Sequence, residues 1–158
     1  MSDTLHFVPF DAGEVKAYRT SSFDAYVADR RAAGESEIEA KANATASFER
    51  MFPDGIPAAG QLIGNVVDDE GNRAGYVWVG PLGPDPSRWW VWDIAIEVAR
   101  RGQGLGRVAM ALAESIAREH GAVSLGLNVF AHNTVARKLY DGLGYEEASV
   151  TMRKDLSP

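Results

Sequence analysis

The residues most able to do chemistry lie in a short turn, R-R-G-Q-G-L-G-R, at positions 100–107. The turn follows the apolar run WWVWDIAIEV and precedes VAMALAESIAREH, so it would join a strand to a helix. The first amide N–H groups of a helix have no partner within the helix, and the helix dipole makes that end electropositive. Glycines at 102, 104 and 106 remove the β-carbons that would keep a ligand from the main chain. The turn therefore predicts a phosphate or pyrophosphate site. The alternative is a tight left-handed turn with solvated arginines.

Two nucleotide-binding motifs do not fit this turn. G-L-G-R-V-A at 104–109 matches the dinucleotide fingerprint G-x-G-x-x-A. That fingerprint needs an acidic residue about 20 positions on, at the end of the next strand, where this chain has Asn128. The ATP-type P-loop, G-x-x-x-x-G-K-[ST], is absent.

A third motif fits. R101-x-x-G104-x-G106 after a strand resembles the acyl-CoA pyrophosphate loop of the GNAT superfamily of N-acyltransferases. The stretch D-I-A-I-E-V-A-R-R-G-Q-G-L-G-R is locally similar to bacterial ribosomal-protein alanine acetyltransferases. Downstream, N-T-V-A-R-K-L-Y-D-G-L-G-Y at 133–145 resembles the family's Asn, its Tyr seven residues later and its G-[FY]. The resemblance runs from about residue 75 to residue 152.

The resemblance implies acetyl-CoA as cosubstrate. Main-chain N–H groups of residues 102–107 would hold the pyrophosphate, and residues 94–96 would pair with the pantetheine arm. A strand N–H there would polarise the thioester carbonyl. Tyr140 would protonate the departing thiolate, and Asn133 would contact the cofactor besides capping its helix. The predicted cofactor-binding residues are Ile94, Ala95, Ile96, Val98, Arg101, Gly102, Gln103, Gly104, Leu105, Gly106, Arg107, Asn133 and Tyr140.

The general base is not given by the resemblance. The alanine acetyltransferases carry a Glu five residues before the Asn, where this chain has Asn128. Other relatives place Glu or His early in the preceding strand, where this chain has Trp90 and Trp92. Asp93 and Glu97 remain as candidates, two carboxylates on one strand face with Ala95 between them. A water chain, or an amine that is already neutral, is the alternative.

Composition excludes several classes of protein. The 158 residues are expected to form one domain over 1–158, and a net charge of −6 argues against a general binder of nucleic acid or anionic membranes. The absence of cysteine excludes disulfides, thiolate catalysis and Cys-ligated zinc, and the three histidines have no metal-like spacing. No apolar run approaches the ~20 residues that span a bilayer. A cytoplasmic protein is therefore expected.

The order of elements is predicted as β-α-α-β-β-β-α-β-α-β, a single mixed α/β (α+β) domain. Asp11 with Glu14, and Ser36 with Glu39, form the capping boxes that begin the first two helices. VSLGLNVF at 123–130 and YEEASVTMRK at 145–154 are the last two predicted strands. The resemblance implies the GNAT fold, a mixed central sheet with helices on both faces.

The expected function is acyl-CoA-dependent N-acetyl transfer to a primary amine by direct attack. Without Cys or a G-x-S-x-G elbow, nothing indicates a covalent acyl-enzyme. The acceptor stays open between small-molecule and peptide amines, with no nucleic acid or membrane partner, and a homodimer is left open. The alternatives are a non-catalytic acyl-CoA-binding or sensing module of the same fold and a nucleotide-binding regulatory domain.

Acidic residues around the second helix bear on the acceptor. Because their charge would attract cations, we expect basic or polyamine-like amines to be preferred. The alternative is a solvated helix face. The residues are Glu35, Glu37, Glu39 and Glu49.

Overall fold

The computed structural model describes residues 4–158, which contain five strands and four helices. In chain order these are β1 (His6–Pro9), α1 (Ala12–Ala32), α2 (Glu37–Met51), β2 (Leu62–Val67), β3 (Arg73–Pro81), β4 (Arg88–Ile96), α3 (Leu105–Glu119), β5 (Ser124–Leu127) and α4 (Thr134–Gly142). Short 3₁₀ turns occupy Pro53–Gly55 and Val98–Arg100. None of the helices within residues 4–158 is both long and apolar enough to cross a membrane.

The strands form one sheet in chain order, β1-β2-β3-β4-β5. The first four strands pair antiparallel, and β5 pairs parallel with β4. The parallel pair is connected through α3, as a parallel crossover requires. β2 and β3 form a hairpin, with Gly71 in its turn at a φ of +83°.

Helices cover both faces of the sheet, as predicted. Side chains alternate along β3, so Val77 and Val79 pack against α3 while Trp78 packs against α1 and α2. On the α3 side, α4 adds the half-buried Tyr140. A chain of 158 residues thus buries two layers of apolar side chains, one on each face of the sheet.

The first two helices begin where the sequence predicts. The side chain of Asp11 accepts a hydrogen bond from the Glu14 N–H, and the Glu14 carboxylate accepts one from the Asp11 N–H. Ser36 and Glu39 make the same reciprocal pair. Both predicted capping boxes are confirmed.

The last predicted strand is wrong, because no residue from 145 to 158 belongs to a strand. Tyr145 ends the turn after α4 by donating its N–H to the Tyr140 carbonyl. The exposed tail beyond it is held by side chains: Arg137 pairs with Glu147, and Arg153 donates to the Gly34 carbonyl. Alternation of apolar and polar residues makes a segment able to pair, but pairing needs a sheet edge within hydrogen-bond distance.

Candidate active site

The sheet opens halfway along β4. Residues Trp89–Val91 pair with β3 on one side and β5 on the other. Beyond Val91, within residues 4–158, β4 has a ladder partner only on β3, because β5 ends at Leu127. A bulge at Trp92 lies at the same place. The predicted strand 123–130 is thus shorter than its sequence indicates, and a gap follows it.

Main-chain groups of β4 face this gap. The Glu97 N–H donates to the Ala74 carbonyl on β3 at 2.9 Å. Because an antiparallel ladder alternates its hydrogen-bonded pairs, Ile94 and Ile96 direct their main-chain groups to the opposite edge. The Ile96 carbonyl indeed accepts a hydrogen bond from Arg101 Nε at 3.0 Å. The side chains of Ile94 and Ile96 pack on the α3 side of the core, so only their backbone can serve a ligand in the gap.

The glycine turn leads from β4 to an uncapped helix. Gly104 is the residue before α3, and no side chain caps that helix. The other three helices have such a cap, from Asp11, Ser36 and Asn133. Gly102 and Gly104 have φ of +75° and +78°, and a β-carbon on either would have no protein atom within 4 Å. The main chain is thus open to a ligand from solvent, as a pyrophosphate would need.

The arginines around this turn have partners within the protein. Arg100 pairs with Asp68, with Nη1 3.2 Å from Oδ2. Arg107 Nη1 donates to the Gly142 carbonyl at 3.4 Å, joining α3 to the end of α4. Arg101 donates to Ile96, as described above, through Nε, and its side chain is exposed. The main-chain N–H groups are therefore the donors that this turn offers to a ligand, and the arginines surround them while bonded to other parts of the protein.

The remaining predicted cofactor residues differ in their exposure to solvent. Leu105 is 2% exposed and belongs to the core, so only its main chain can reach a ligand. A β-carbon added at Gly106 would lie 3.3 Å from Leu139 Cδ2 of α4, so the absence of a side chain there leaves room for α4. Gln103 is exposed, and Val98 lies in the 3₁₀ turn with 76% of its surface exposed. Ala95 is half-buried on the α1 and α2 side of β4.

Asn133 and Tyr140 lie at the two ends of α4. Asn133 Oδ1 accepts a hydrogen bond from the Ala136 N–H at 3.2 Å, so its predicted capping role is confirmed. Tyr140 is half-buried against Tyr145, with 5.9 Å between ring centroids. Burial raises the pKa of the Tyr140 phenol, and the Asp93 carboxylate raises it further. Tyr140 is therefore a protonated phenol at neutral pH, and it lies within the electrostatic range of Asp93.

The two candidate carboxylates have different surroundings. Asp93 lies in β4 and accepts hydrogen bonds from the hydroxyls of Tyr18 and Tyr76, at 2.6 and 2.9 Å. Burial raises the pKa of Asp93, and these two hydroxyls oppose the rise. Glu97 follows the end of β4, is 43% exposed, and forms an ion pair with Arg73 at 3.0 Å. A buried carboxylate with a raised pKa is the better proton acceptor of the two.

The four tryptophans divide between the two faces of the sheet. Trp89 is buried on the α3 side, and Trp78 is buried on the side of α1 and α2. Trp92 packs next to Trp78 and Trp90, with ring centroids 6.0 and 6.3 Å apart. The buried Nε1 of Trp92 has no hydrogen-bond partner in the described chain. Trp92 is thus a half-buried residue packed against the core, and its indole N–H has no hydrogen-bond partner within residues 4–158.

Most of the acidic residues around α2 are engaged locally. Glu35 forms a bidentate pair with Arg30, and Glu37 pairs with Lys41. Glu39 belongs to the capping box of α2. Glu49 lines a cleft of about 600 Å³ between α1 and α2. Because most of these carboxylates have partners within the protein, the surface around α2 should attract a cationic acceptor less strongly than its sequence indicates.

Sequence reasoning missed Tyr18 and Tyr76. Tyr18 fits the apolar stripe of α1, and Tyr76 fits the alternation of β3, so both resemble ordinary core residues. They lie 75 and 17 positions from Asp93 in sequence. Only the packing of α1 on the sheet and the register of β3 with β4 bring the three side chains together, so no local signal could have found them.

Comparison with known proteins agrees with this geometry. Residues 24–145 match the Acetyltransferase (GNAT) family. The N-acetyltransferase YdgE of Bacillus subtilis (strain 168) is 33% identical over 146 residues, covering 90% of this chain and 92% of its own. YycN, a second N-acetyltransferase of that organism, is 28% identical over 155 residues, covering 97% and 99% of the two chains.

Solved structures give the same result. The crystal structure of YycN superposes with a TM-score of 0.88 at 27% identity, covering 98% of this chain and all of that one. A structure from Pyrococcus furiosus shares the fold, with a TM-score of 0.62 at 22% identity over 96% and 99% of the two chains. The family match spans most of the chain and includes both β4 and the glycine turn. This protein therefore belongs to the GNAT family and is an acetyltransferase.

Proposed function

We propose that this enzyme transfers the acetyl group of acetyl-CoA to a primary amine by direct attack, with Asp93 as proton acceptor and Tyr140 as proton donor. Family membership supports acyl-CoA-dependent acetyl transfer in general. The acceptor class and the roles of individual residues rest on the geometry of the gap beside β4.

One observation carries the proposal: the gap in the sheet lies between an uncapped helix and two titratable side chains. The main chain of residues 102–107 offers donors to an anion at the start of α3. The outward main chain of Ile94 and Ile96 continues from that turn along the gap. Tyr140 and Asp93 are close enough to influence each other electrostatically. A thioester lying along β4 would have phosphate donors at one end and proton-transfer groups at the other.

The proton transfers balance with these groups. An ammonium acceptor gives one proton to Asp93, and the resulting neutral amine forms the C–N bond as the C–S bond breaks. Tyr140 gives its proton to the sulfur, and the proton lost from the attacking nitrogen restores the phenol. The proton on Asp93 then leaves to solvent, so the net products are the amide, the thiol and one released proton.

The choice of Asp93 over Glu97 follows from desolvation. A proton acceptor works best when its pKa lies near the pH of the reaction. Burial raises the pKa of Asp93 toward that range. Glu97 is partly exposed and its charge is balanced by Arg73. Glu97 is therefore assigned a structural contact between β3 and the end of β4.

The experiment is an acetylation assay that follows free CoA across a panel of amines. The panel contains peptide N-termini, polyamines, amino sugars and amino acids, each with acetyl-CoA as donor. Thermal shifts with acetyl-CoA, CoA, ATP and NAD are measured on the same preparation. A ligand at 100 times its dissociation constant adds about 2.7 kcal/mol to the stability of the folded protein.

The two measurements separate the competing functions. Stabilisation by acetyl-CoA together with CoA release on some amine supports the proposal. Stabilisation by acetyl-CoA without CoA release on any member of the panel indicates an acyl-CoA-binding module instead. Stabilisation by ATP or NAD alone contradicts the assignment of the glycine turn.

A further inference from the structure

Two tyrosine hydroxyls meet on a single oxygen of Asp93. Tyr18 Oη, from α1, donates to Oδ2 at 2.6 Å, and Tyr76 Oη, from β3, donates to the same oxygen at 2.9 Å. Within residues 4–158, no side chain donates a hydrogen bond to the other oxygen, Oδ1. A main-chain hydrogen bond from the Ile94 N–H also stabilises the charged carboxylate. The side chains of the described residues therefore hold Asp93 through Oδ2 alone, and none of them occupies Oδ1.

The two tyrosines are themselves fixed by packing. Tyr18 is 8% exposed and lies edge-on to Tyr76, with ring centroids 5.5 Å apart. The Tyr18 ring also contacts Phe52 and Trp78, at 6.3 and 6.0 Å between centroids. Rings packed in this way cannot swing to follow a moving carboxylate. Their hydroxyls therefore define where Asp93 lies.

The partners of Asp93 are neutral hydroxyl groups and not cations, and this difference affects its strength as a base. Among the described residues, Asp93 forms no ion pair with Lys, Arg or His. The titratable groups that influence it are Tyr18 and Asp29 from α1, Tyr76 from β3 and Tyr140 from α4. A cation on Asp93 would satisfy its charge and weaken it as a base. Neutral phenols stabilise the carboxylate without cancelling its charge, so it can still attract an ammonium group.

The phenols also remain donors across the working pH range. Burial raises the pKa of Tyr18, and the neighbouring Asp93 carboxylate raises it further. Burial and Asp93 act on the pKa of Tyr76 in the same direction. Neither hydroxyl loses its proton at neutral pH, so both hydrogen bonds to Oδ2 persist while Asp93 gains and loses its own proton.

We infer that Tyr18 and Tyr76 are positioning residues: they hold Asp93 by Oδ2 and direct Oδ1 toward the ammonium group of the acceptor. This inference rests on the proposed function, in which Asp93 accepts the proton. The transfer breaks one N–H bond of the ammonium and forms one O–H bond at Oδ1, leaving a neutral amine beside a carboxylic acid. The acceptor class that this arrangement recognises is a primary amine that arrives protonated.

The test measures the protonation of Asp93 directly. Aspartate labelled with ¹³C at the side-chain carboxyl is titrated by NMR in the wild type and in Tyr18→Phe, Tyr76→Phe and the double variant, without acetyl-CoA or acceptor. Asp93→Asn identifies the signal. Because each hydroxyl stabilises the charged form, each single variant should raise the pKa of Asp93 by about one unit, and the double variant by more.

Kinetics on the same variants test the positioning role. An Asp93 carboxylate is active above its pKa, so the acidic limb of the kcat/KM profile should move to higher pH with the NMR titration. At a pH on that limb, each single variant should lose about tenfold in kcat/KM, and at high pH it should approach the wild-type rate. Tyr26→Phe is the control, since its hydroxyl contacts Arg30 and not Asp93.

Each outcome decides the inference. Single variants that fold and titrate like the wild type overturn it, because the hydroxyls would then be packing groups only. A uniform loss of rate at every pH, with no movement of the titration, also overturns it. If Tyr18→Phe does not fold, the half-buried Tyr76→Phe decides alone. An active Asp93→Asn enzyme contradicts the proposed base instead, whatever the NMR titration of the tyrosine variants shows.

Discussion

The start of α3 and the surroundings of Asp93 are built in opposite ways. At the start of α3 the main chain offers the ligand contacts, and the residues concerned occupy one stretch, 101–107. Around Asp93 the side chains make the contacts, and they come from α1, β3 and β4. A backbone site requires glycines and a helix start, whereas a side-chain site requires three elements to pack in register. Different substitutions should therefore disrupt the two regions. The backbone site can be recognised from one continuous stretch of sequence, whereas the side-chain site cannot.

The sharpest test of this difference replaces the carboxylate of Asp93. Asp93→Asn keeps the shape and can still accept both tyrosine hydrogen bonds, but it cannot take a proton. We expect kcat/KM near neutral pH to fall roughly 10²–10⁴-fold, the usual contribution of general base catalysis. Acetyl-CoA affinity should stay unchanged, since the glycine turn is untouched. Steady-state kinetics beside a binding titration check both expectations.

The control for that test is Glu97→Gln, which removes the other candidate carboxylate. Its ion pair with Arg73 is partly exposed, so we expect less than about 1 kcal/mol of lost stability. The rate should change little. A larger loss of kcat/KM in Glu97→Gln than in Asp93→Asn would reverse the assignment of the base.

Asp93→Asn should also change the stability of the folded protein, in a way that depends on pH. Because the folded-state pKa of Asp93 is raised, the native state binds more protons than the unfolded state between the two pKa values. The stability contributed by this group therefore falls as pH rises through that interval. We expect Asp93→Asn to melt at a higher temperature than the wild type at pH 8, with the difference vanishing below about pH 3.9. Calorimetry across this range would contradict the expectation if the variant melted lower at pH 8.

Tyr140 joins the two regions, because it lies on the α3 side of the sheet and responds to Asp93. Tyr140→Phe keeps the ring and removes the hydroxyl. We expect kcat to fall roughly 10²–10⁴-fold, with acetyl-CoA affinity and melting temperature nearly unchanged. Tyr145→Phe is the matched control, since its hydroxyl donates to Glu114. Near-normal kcat in Tyr140→Phe would make Tyr140 a packing residue.

The backbone region should respond to a single methyl group. Gly104→Ala places a β-carbon where no protein atom lies within 4 Å, so the group meets only the ligand. We expect acetyl-CoA to bind about 10- to 100-fold more weakly, because a hydrogen bond to a charged group contributes about 1.5–3 kcal/mol. A binding titration measures the loss.

Gly83→Ala separates this effect from backbone strain. Gly83 also has positive φ, at +69°, and open surroundings, but it lies in the loop between β3 and β4. Both variants should lose about 1–2 kcal/mol of stability, since a β-carbon is disfavoured in this conformation. Equal affinities for acetyl-CoA in the two variants would rule out the turn as the pyrophosphate site.

The smallest expected effect concerns the acidic residues around α2. Glu37 is paired with Lys41 and exposed, so neutralising it should change kcat/KM for a cationic amine less than about twofold at 0.15 M ionic strength. Glu37→Gln assayed with neutral and cationic amines at several salt concentrations checks this. A large, salt-dependent loss of kcat/KM with the cationic amine would instead support electrostatic steering of the acceptor by this surface.

Much of the fold was predictable because its signals are local. The capping boxes at Asp11 and Ser36 begin helices through contacts three residues apart, and the alternation around Gly71 gives the hairpin. The glycine turn that begins α3 is likewise a local sequence signal. The last strand failed because Val150 and Met152 alternate correctly but lie exposed, away from any sheet edge that pairs with them.

The sequence by itself determined the glycine turn, the helix it begins, and the carboxylates and phenol available for proton transfer. Tertiary structure alone decided which carboxylate is buried, because Asp93 gains its environment from Tyr18, which is 75 positions away. It also ended β5 at Leu127 and so opened the gap beside β4. The physical reason is range: main-chain hydrogen bonding within a turn depends on neighbouring residues, whereas desolvation and hydrogen bonding between side chains depend on which distant elements pack together.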